Sequence, residues 1–92
     1  MKKILPLDEL AARVAELKKA GKRVALCHGC FDLLHLGHIK HFEAAKEAAD
    51  VLIVTVTPDR FVNKGPGRPV FTEALRMEAI AALEAVDYVA LN

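Results

Sequence analysis

Two histidines, His35 and His38, bracket Gly37 in the four-residue stretch HLGH. A short apolar run precedes this stretch, with Gly29 at its end, and an alanine-rich amphipathic segment follows it. A buried strand, a tight turn and a helix N-terminus in that order bring backbone N–H groups to the positive end of the helix dipole. Imidazole N–H groups at the same place can donate to anionic oxygens. The stretch 29–38 therefore predicts a phosphate-binding site.

The elements that must hold this stretch alternate regularly along the chain. Continuously apolar or β-branched runs are typical of parallel strands that are covered on both faces. Between them, apolar residues recur at helical spacing, and Thr72 is a suitable N-cap for the last such segment. In chain order, the predicted elements are a helix at about 7–20, a strand at 22–28, a helix at 39–49, a strand at 51–56, a helix from 72 and a strand at 86–91.

A helix followed by βαβαβ predicts an α/β fold with a Rossmann-like parallel sheet, because right-handed crossovers join parallel strands. The second strand should lie between the first and the third, as in the first half of a doubly wound sheet. Ligands bind at the carboxyl ends of the strands in such sheets, where the stretch 29–38 begins. We expect residues 1–92 to form one domain, without the strands that normally flank the first strand on its other side.

The composition excludes several classes of function. With 92 residues, 53% of them hydrophobic, the chain suits one compact domain with a modest core. The net charge of +1 gives no field that would attract nucleic acid or an anionic membrane. We expect no secretory signal and no membrane span, because no apolar run is long enough. Two closely spaced cysteines cannot staple a secreted scaffold, so the cytoplasm is the expected location.

Two motifs together indicate a family. The stretch GCFD at 29–32, followed by HLGH at 35–38, resembles the HxGH nucleotidyltransferases, the cytidylyltransferase-like superfamily. The loop KGPGRP at 64–69 and the segment 82–89 make the chain most similar to the heptose-phosphate adenylyltransferase domain of ADP-heptose synthesis, with glycerol-3-phosphate cytidylyltransferase a close second. The resemblance covers essentially residues 22–91 and implies the N-terminal half of a HUP-type nucleotidyltransferase fold.

The resemblance implies a reaction and its partners. Such enzymes transfer an adenylyl or cytidylyl group from ATP or CTP to a phosphorylated sugar or polyol and release pyrophosphate. Transfer of this kind depends on positioning and charge stabilisation at the α-phosphorus more than on covalent help. Mg²⁺ is expected to be held mainly by the nucleotide, with no protein metal site.

The same resemblance implies roles for individual residues. It makes His35 and His38 the catalytic pair, as donors to the α- and β-phosphate oxygens. Asp32 belongs to the nucleotide-binding motif, although its type and place favour an anchor for a turn over a general base. The nucleotide-binding residues are Gly29, Cys30, Phe31, Asp32, Gly37 and Arg76, and the substrate-binding residues are Asp59, Lys64 and Arg68.

Simpler interpretations stand beside these roles. Histidines at a helix start are often solvated caps, and the cations of the loop at 64–69 suit a solvated basic loop. Arg76 could pair with a neighbouring carboxylate, and Asp59 could cap a turn after Pro58. His28 suits packing or the site about equally, whereas His41 matches no motif position and is expected to be solvated.

Two other classes of function remain open. Cys27 and Cys30 form a CxxC that, with the histidines, could indicate a zinc or thiol-redox site, although Cys27 should point into the core. A binding module without turnover is the stronger alternative. The family carries a second segment, rich in serine and threonine, that clamps the triphosphate, and this sequence contains no serine. We therefore expect either a fragment of a longer enzyme or a reduced nucleotide-binding domain.

The predicted first strand also suggests assembly. With the second strand on one side only, its other edge presents unpaired N–H and C=O groups, which can template another chain. A small domain gains much from extra burial. We therefore expect a homodimer in which two copies supply what the missing half would supply.

Overall fold

The computed structural model describes residues 2–62 and 65–92. It is an α/β structure whose helices alternate with parallel strands, as the sequence predicts. In chain order its elements are α1 (Leu7–Lys19), β1 (Val24–Gly29), α2 (Leu36–Glu47), β2 (Val51–Val56), a 3₁₀ turn (Asp59–Phe61), α3 (Glu73–Ala81) and β3 (Tyr88–Leu91).

The three strands form one parallel sheet in the order β1-β2-β3. Val24 of β1 lies opposite Val51 of β2, and Ile53 of β2 lies opposite Tyr88 of β3. β2 is the central strand, and its side chains are apolar on both faces of the sheet except for that of Thr55. The expected strand order is confirmed, and the carboxyl ends of all three strands meet at one edge, where the stretch 29–38 begins.

Helices cover both faces of the sheet. α2 and α3 pack on one face, where Phe42 and Ile80 are completely buried against the β2 residue Leu52. α1 packs on the other face, where its Leu10 joins Ile53 in a second, smaller core. The two cores hold the sheet between helical layers, so the start of α2 is fixed against the end of β1.

The N-terminal segment adds a feature that the sequence does not reveal. Residues before α1 run alongside β3, with a parallel bridge between Ile4 and Val89. The N–H of Leu5 donates to the carbonyl of Val89 at 3.0 Å, and the N–H of Val89 donates to the carbonyl of Lys3 at 3.0 Å. This segment therefore protects the outer edge of β3.

The opposite edge of the sheet is bare. Within the part of the chain that the structure describes, β1 pairs with β2 alone. Leu26 of β1 is 65% exposed although it lies in a strand. Beside it an apolar groove of about 330 Å³ runs between α1 and the sheet, and α1 residues such as Ala11 and Val14 line its far wall. The single neighbour predicted for β1 is confirmed.

Among the described residues, no helix is both long enough and apolar enough to cross a membrane.

Candidate phosphate-binding site

A cavity of about 360 Å³ lies where β1 ends and α2 begins. Its walls come from the turn after β1, from the first turn of α2 and from the loop before α3. This is the place that the strand–turn–helix pattern predicts for an anion. The residues that line the cavity are Phe31, Asp32, Leu33, His35, His38 and Arg68.

The two histidines of the HLGH stretch cap α2 reciprocally. His35 is the N-cap, and its Nδ1 accepts a hydrogen bond from the N–H of Gly37 at 3.0 Å. In return, the N–H of His35 donates to Nδ1 of His38 at 3.2 Å. The two rings lie with their centroids 4.0 Å apart. Capping therefore fixes both rings at the mouth of the cavity.

The same hydrogen bonds decide where the ring protons lie. A backbone N–H can only donate, so Nδ1 of His35 and Nδ1 of His38 both act as acceptors. In each neutral imidazole the proton is then carried by Nε2, which is the donor that the ring can offer to a phosphate oxygen. Helix capping thus selects the tautomer that suits anion binding.

Gly37 is required by the close approach of a ring. A Cβ built at this position would lie 2.7 Å from Cε1 of His35 and 3.0 Å from its Nδ1. Any side chain here would push the His35 ring off the amide that it caps. The glycine thus serves the cap as well as leaving the backbone open to a ligand.

The turn before α2 depends on an unusual backbone conformation at Phe31. Its φ is +52°, in the left-handed region that bulky residues rarely adopt. The ring compensates by packing edge-on against His38, with centroids 5.5 Å apart, and against Phe42 at 5.2 Å. It also covers Gly29, where a Cβ would lie 2.9 Å from the ring. Phe31 therefore links the cavity to the core and supports the ring of His38.

Asp32 anchors the turn to the loop before α3, in keeping with the anchoring role that its type and place favour. One carboxylate oxygen accepts from the N–H of Val70 and from Nη1 of Arg68, each at 2.9 Å, and the other accepts from the N–H of Phe71 at 3.0 Å. Burial by itself raises the pKa of this carboxyl, but the N–H groups of Phe71 and Val70 and the guanidinium of Arg68 outweigh it, and the pKa falls to about 2. The carboxylate is therefore ionised at neutral pH.

Arg76 lies in α3 with its guanidinium inside the protein. The residue is only 2% exposed. It donates to the carbonyl of Phe71 at 3.1 Å, to the carbonyl of Cys30 at 2.7 Å and to a carboxylate oxygen of Asp59 at 2.7 Å. All of these acceptors belong to the protein, so the nucleotide-binding role of Arg76 stays a prediction.

Asp59 lies at the carboxyl-end rim, in the 3₁₀ turn after β2. Beyond its ion pair with Arg76, its N–H donates to Glu73 at 2.9 Å. It lines a neighbouring cavity of about 350 Å³ together with Arg60 and Asn92. The structure therefore separates Asp59 from the histidine cavity, and its contact with substrate remains a prediction.

The other predicted site residues are placed as follows. Arg68 shares the histidine cavity, while Gly29 is the last residue of β1 and Cys30 begins the turn that leads into the cavity. Lys64 lies outside the described residues. His41 is in α2 and does not line the cavity, and the Nδ1 of His28 lies 2.8 Å from the hydroxyl of Thr55.

The two cysteines of the CxxC motif lie in different surroundings. Cys27 is buried in the core, where burial raises the pKa of its thiol, and Cys30 is partly buried in the turn. Both are free thiols. Within residues 2–62 and 65–92, no group of three or more His, Cys, Asp or Glu side chains is arranged to hold a metal ion.

Some contributors to the site have no signature in the sequence. The amides of Val70 and Phe71 bind Asp32 through the backbone, which leaves their side chains unconstrained. Leu33 lines the cavity although it is 49% exposed and apolar. The one related signal is the acid Asp32, three positions before His35, whose type and place favour an anchor, since a carboxylate at a buried turn needs donors.

Comparison with known proteins identifies similar sequences. A family model described as Cytidylyltransferase-like matches residues 26–92. A bifunctional protein HldE of Methylobacillus flagellatus is 46% identical over 97% of this chain, which corresponds to 19% of the relative. Its counterpart in Bradyrhizobium sp. is 50% identical, again over 97% of this chain and 19% of the relative. The chain thus spans about a fifth of the length of the curated relatives it matches.

A solved structure supports the same relationship. The lipopolysaccharide core biosynthesis protein of Thermoplasma volcanium superposes with a TM-score of 0.72 and 35% sequence identity. The match covers 78% of this chain and 59% of the other. The Rossmann-like arrangement of a parallel sheet with helices is therefore shared with this neighbour.

Proposed function

Because this chain belongs to the cytidylyltransferase-like family, we propose that its histidine cavity binds the phosphates of a nucleoside triphosphate, ATP or CTP. The activity that we propose is transfer of the adenylyl or cytidylyl group to a phosphorylated sugar or polyol. The cytosol is the proposed location, because both reactants, the nucleoside triphosphate and the phosphorylated sugar or polyol, are metabolites of that compartment.

One observation carries this proposal: the Nδ1 atoms of His35 and His38 are both occupied as acceptors of backbone N–H groups. In its neutral form each ring therefore carries its proton on Nε2, and both rings line a cavity that Arg68 also lines. Three side-chain donor groups and a helix N-terminus at one cavity suit a polyanion with several phosphoryl groups.

The proposed step displaces pyrophosphate at the α-phosphorus. An oxygen of the acceptor's phosphate forms the new P–O bond, the bond to the bridging α–β oxygen breaks, and its electron pair leaves with pyrophosphate. Negative charge grows on the bridging oxygen as that bond breaks. Nε2–H donors of His35 and His38 near this oxygen would stabilise the transition state more than the ground state.

Mg²⁺ would neutralise part of the triphosphate charge when the nucleotide is bound. The donor set of the cavity fits an ion that is carried by the nucleotide. Asp32 is the carboxylate among the described residues that line the cavity, and three donors already occupy its oxygens. The phosphates, more than protein ligands, would therefore hold the ion.

A nucleotide-binding module without turnover is the second candidate. It is supported by the cavity itself, whose described lining offers donors for an anion and no carboxylate free of hydrogen-bond partners. The glycine turn and the start of α2 would still bind phosphates. Pyrophosphate release in the presence of nucleotide and a sugar phosphate separates the two: release at a rate above that of a His38→Ala variant supports turnover.

We expect ATP or CTP to perturb the backbone amide NMR signals of residues 29–39 before any others. These amides surround the cavity and the N-terminus of α2, where phosphate oxygens would accept hydrogen bonds. The measurement is a titration with magnesium nucleotide followed by ¹H–¹⁵N correlation spectra. The amides of α1, on the opposite face of the sheet, serve as the internal control.

Two outcomes would contradict the phosphate site. One is shifts confined to the chain termini, and the other is no shift at millimolar nucleotide. Amide shifts centred on Leu26 and the groove beside α1 would place the ligand on the face of the sheet that α1 covers, away from the histidine cavity.

Assembly is the last part of the proposal: two copies associate through the bare β1 edge. The edge is unpaired over the described residues, and Leu26 exposes 65% of its surface beside it. Pairing β1 with β1 would satisfy the backbone groups and cover this leucine. We expect light scattering across a concentration series to show a dimer. A monodisperse species of 10.0 kDa at high concentration would rule it out.

A further inference from the structure

Two arginines come close to the turn after β1, and they differ in their burial and in their hydrogen-bond partners. Arg76 is 2% exposed, and its guanidinium donates to three acceptor groups inside the protein. The side chain of Arg68 is 34% exposed, and its Nη1 donates to the carboxylate of Asp32 at 2.9 Å. Arg68 therefore has N–H groups at the cavity surface, whereas the guanidinium of Arg76 is buried.

The orientation of Arg68 is set by Asp32. The side chain of Asp32 is 3% exposed, and its oxygens also accept the N–H groups of Val70 and Phe71. The carboxylate thus holds the backbone of the loop and the tip of its arginine at once. We call this arrangement, Asp32 with Arg68, Val70 and Phe71, the Asp32 clasp.

The clasp leaves the guanidinium in a defined place. A guanidinium is planar and carries five N–H groups, so one edge can bind a carboxylate while another faces an anion. His35 and His38 line the same cavity as Arg68. An anion held by the histidines would therefore lie next to the outward edge of Arg68.

We propose that Asp32 is a positioning residue, which aims the guanidinium of Arg68 at a phosphate oxygen of the bound substrate. This inference rests on the proposed function and adds to it the residue that orients the Arg68 guanidinium. Asp32 does not touch the substrate itself, because its oxygens are filled by the clasp. The phosphate could belong to the nucleotide or to the phosphorylated acceptor, and the chemistry at Arg68 is the same.

A double-mutant cycle on affinity tests this. Four chains are titrated by calorimetry: the unchanged chain, Arg68→Ala, Asp32→Asn and the double variant. One titration uses magnesium ATP or CTP, whichever binds more tightly, and a second uses glycerol 3-phosphate. We expect Arg68→Ala and Asp32→Asn each to weaken binding of one ligand by about tenfold, the loss of one charge-assisted hydrogen bond. The double variant should be no weaker than Arg68→Ala alone.

The chain contains a matched control pair at the other end of the sheet. Asp50 accepts from the N–H of Arg23 at 2.8 Å and lies 3.6 Å from its side chain. Arg23→Ala and Asp50→Asn remove the same charges as the test variants, far from the cavity. We expect neither to change the affinity for either ligand.

Arg68→Lys keeps the inference testable if Asp32→Asn does not fold. Lysine keeps the positive charge but lacks the planar fork that serves the carboxylate and the anion together. We expect it to lose most of the affinity that Arg68→Ala loses. Binding equal to that of the unchanged chain would overturn the inference.

The remaining outcomes separate this inference from the proposed function. If the chain binds nucleotide and His38→Ala weakens it while Arg68→Ala does not affect either ligand, the clasp inference alone fails. If Asp32→Asn weakens binding equally with and without Arg68, its role is general to the fold and the inference fails. If the unchanged chain binds neither ligand, both proposals fail.

Discussion

Arg76→Ala is expected to lower the free energy of unfolding by about 2–5 kcal/mol, the range found when a large buried side chain is truncated to alanine. The guanidinium is 2% exposed and joins the carbonyls of Phe71 and Cys30 to the carboxylate of Asp59. Truncation would leave these acceptors without their donor and would open a cavity beneath α3. Since domains of this size are stable by about 5–15 kcal/mol, much of the chain's stability would be lost.

Urea unfolding followed by circular dichroism measures this effect. Arg13→Ala is the matched control, because Arg13 is exposed and donates one hydrogen bond, to the hydroxyl of Tyr88 at 3.1 Å. We expect it to cost less than about 1 kcal/mol, as exposed pairs do. If Arg76→Ala lowered the free energy of unfolding no more than Arg13→Ala does, water would have replaced the lost donors.

His38→Ala is expected to weaken binding of magnesium ATP or CTP by about tenfold to a hundredfold, the loss of a charge-assisted hydrogen bond. His38 lines the cavity, caps the N–H of His35 and contacts the ring of Phe31. Removing its ring therefore takes away one donor and loosens the cap that orients the other. Calorimetric titration of the folded variant gives the affinity directly.

His41→Ala is the control for this experiment. His41 lies on the same helix, about one turn further along, and does not line the cavity. We expect its effect on affinity to be within about twofold, because its loss removes no donor from the cavity. Equal losses at the two positions would mean that the HLGH motif has been assigned the wrong histidines.

The strands were predictable because parallel strands buried on both faces need long apolar runs. β2 begins and ends at the predicted residues, Val51 and Val56, whereas β3 begins at Tyr88, two positions later than predicted. α2 starts at Leu36, earlier than its apolar pattern indicates, because the histidines themselves form its cap. Pairing of the segment before α1 with β3 was not predictable, since it rests on backbone groups.

The site was predictable where side-chain types decide it and not where the backbone does. The histidine pair and Gly37 can be recognised from their spacing before a helical segment. The left-handed turn at Phe31 has no such signal, because this conformation is normally the sign of glycine or asparagine. Nor could helical periodicity show that Arg76 faces inward, since a charged residue is expected on the exposed side of α3.

The clasp also bears on the order in which the chain folds. Asp32 bonds to the amide of Phe71, 39 positions away, and α2 and β2 lie between them. Contacts so distant in sequence form only after the intervening chain has been ordered, because closing a long loop costs entropy before any bond repays it. The pairing of β1 with β2 around α2 is the more local event. The cavity is therefore completed late, and partly folded chains would hold the histidine cap without its opposite wall.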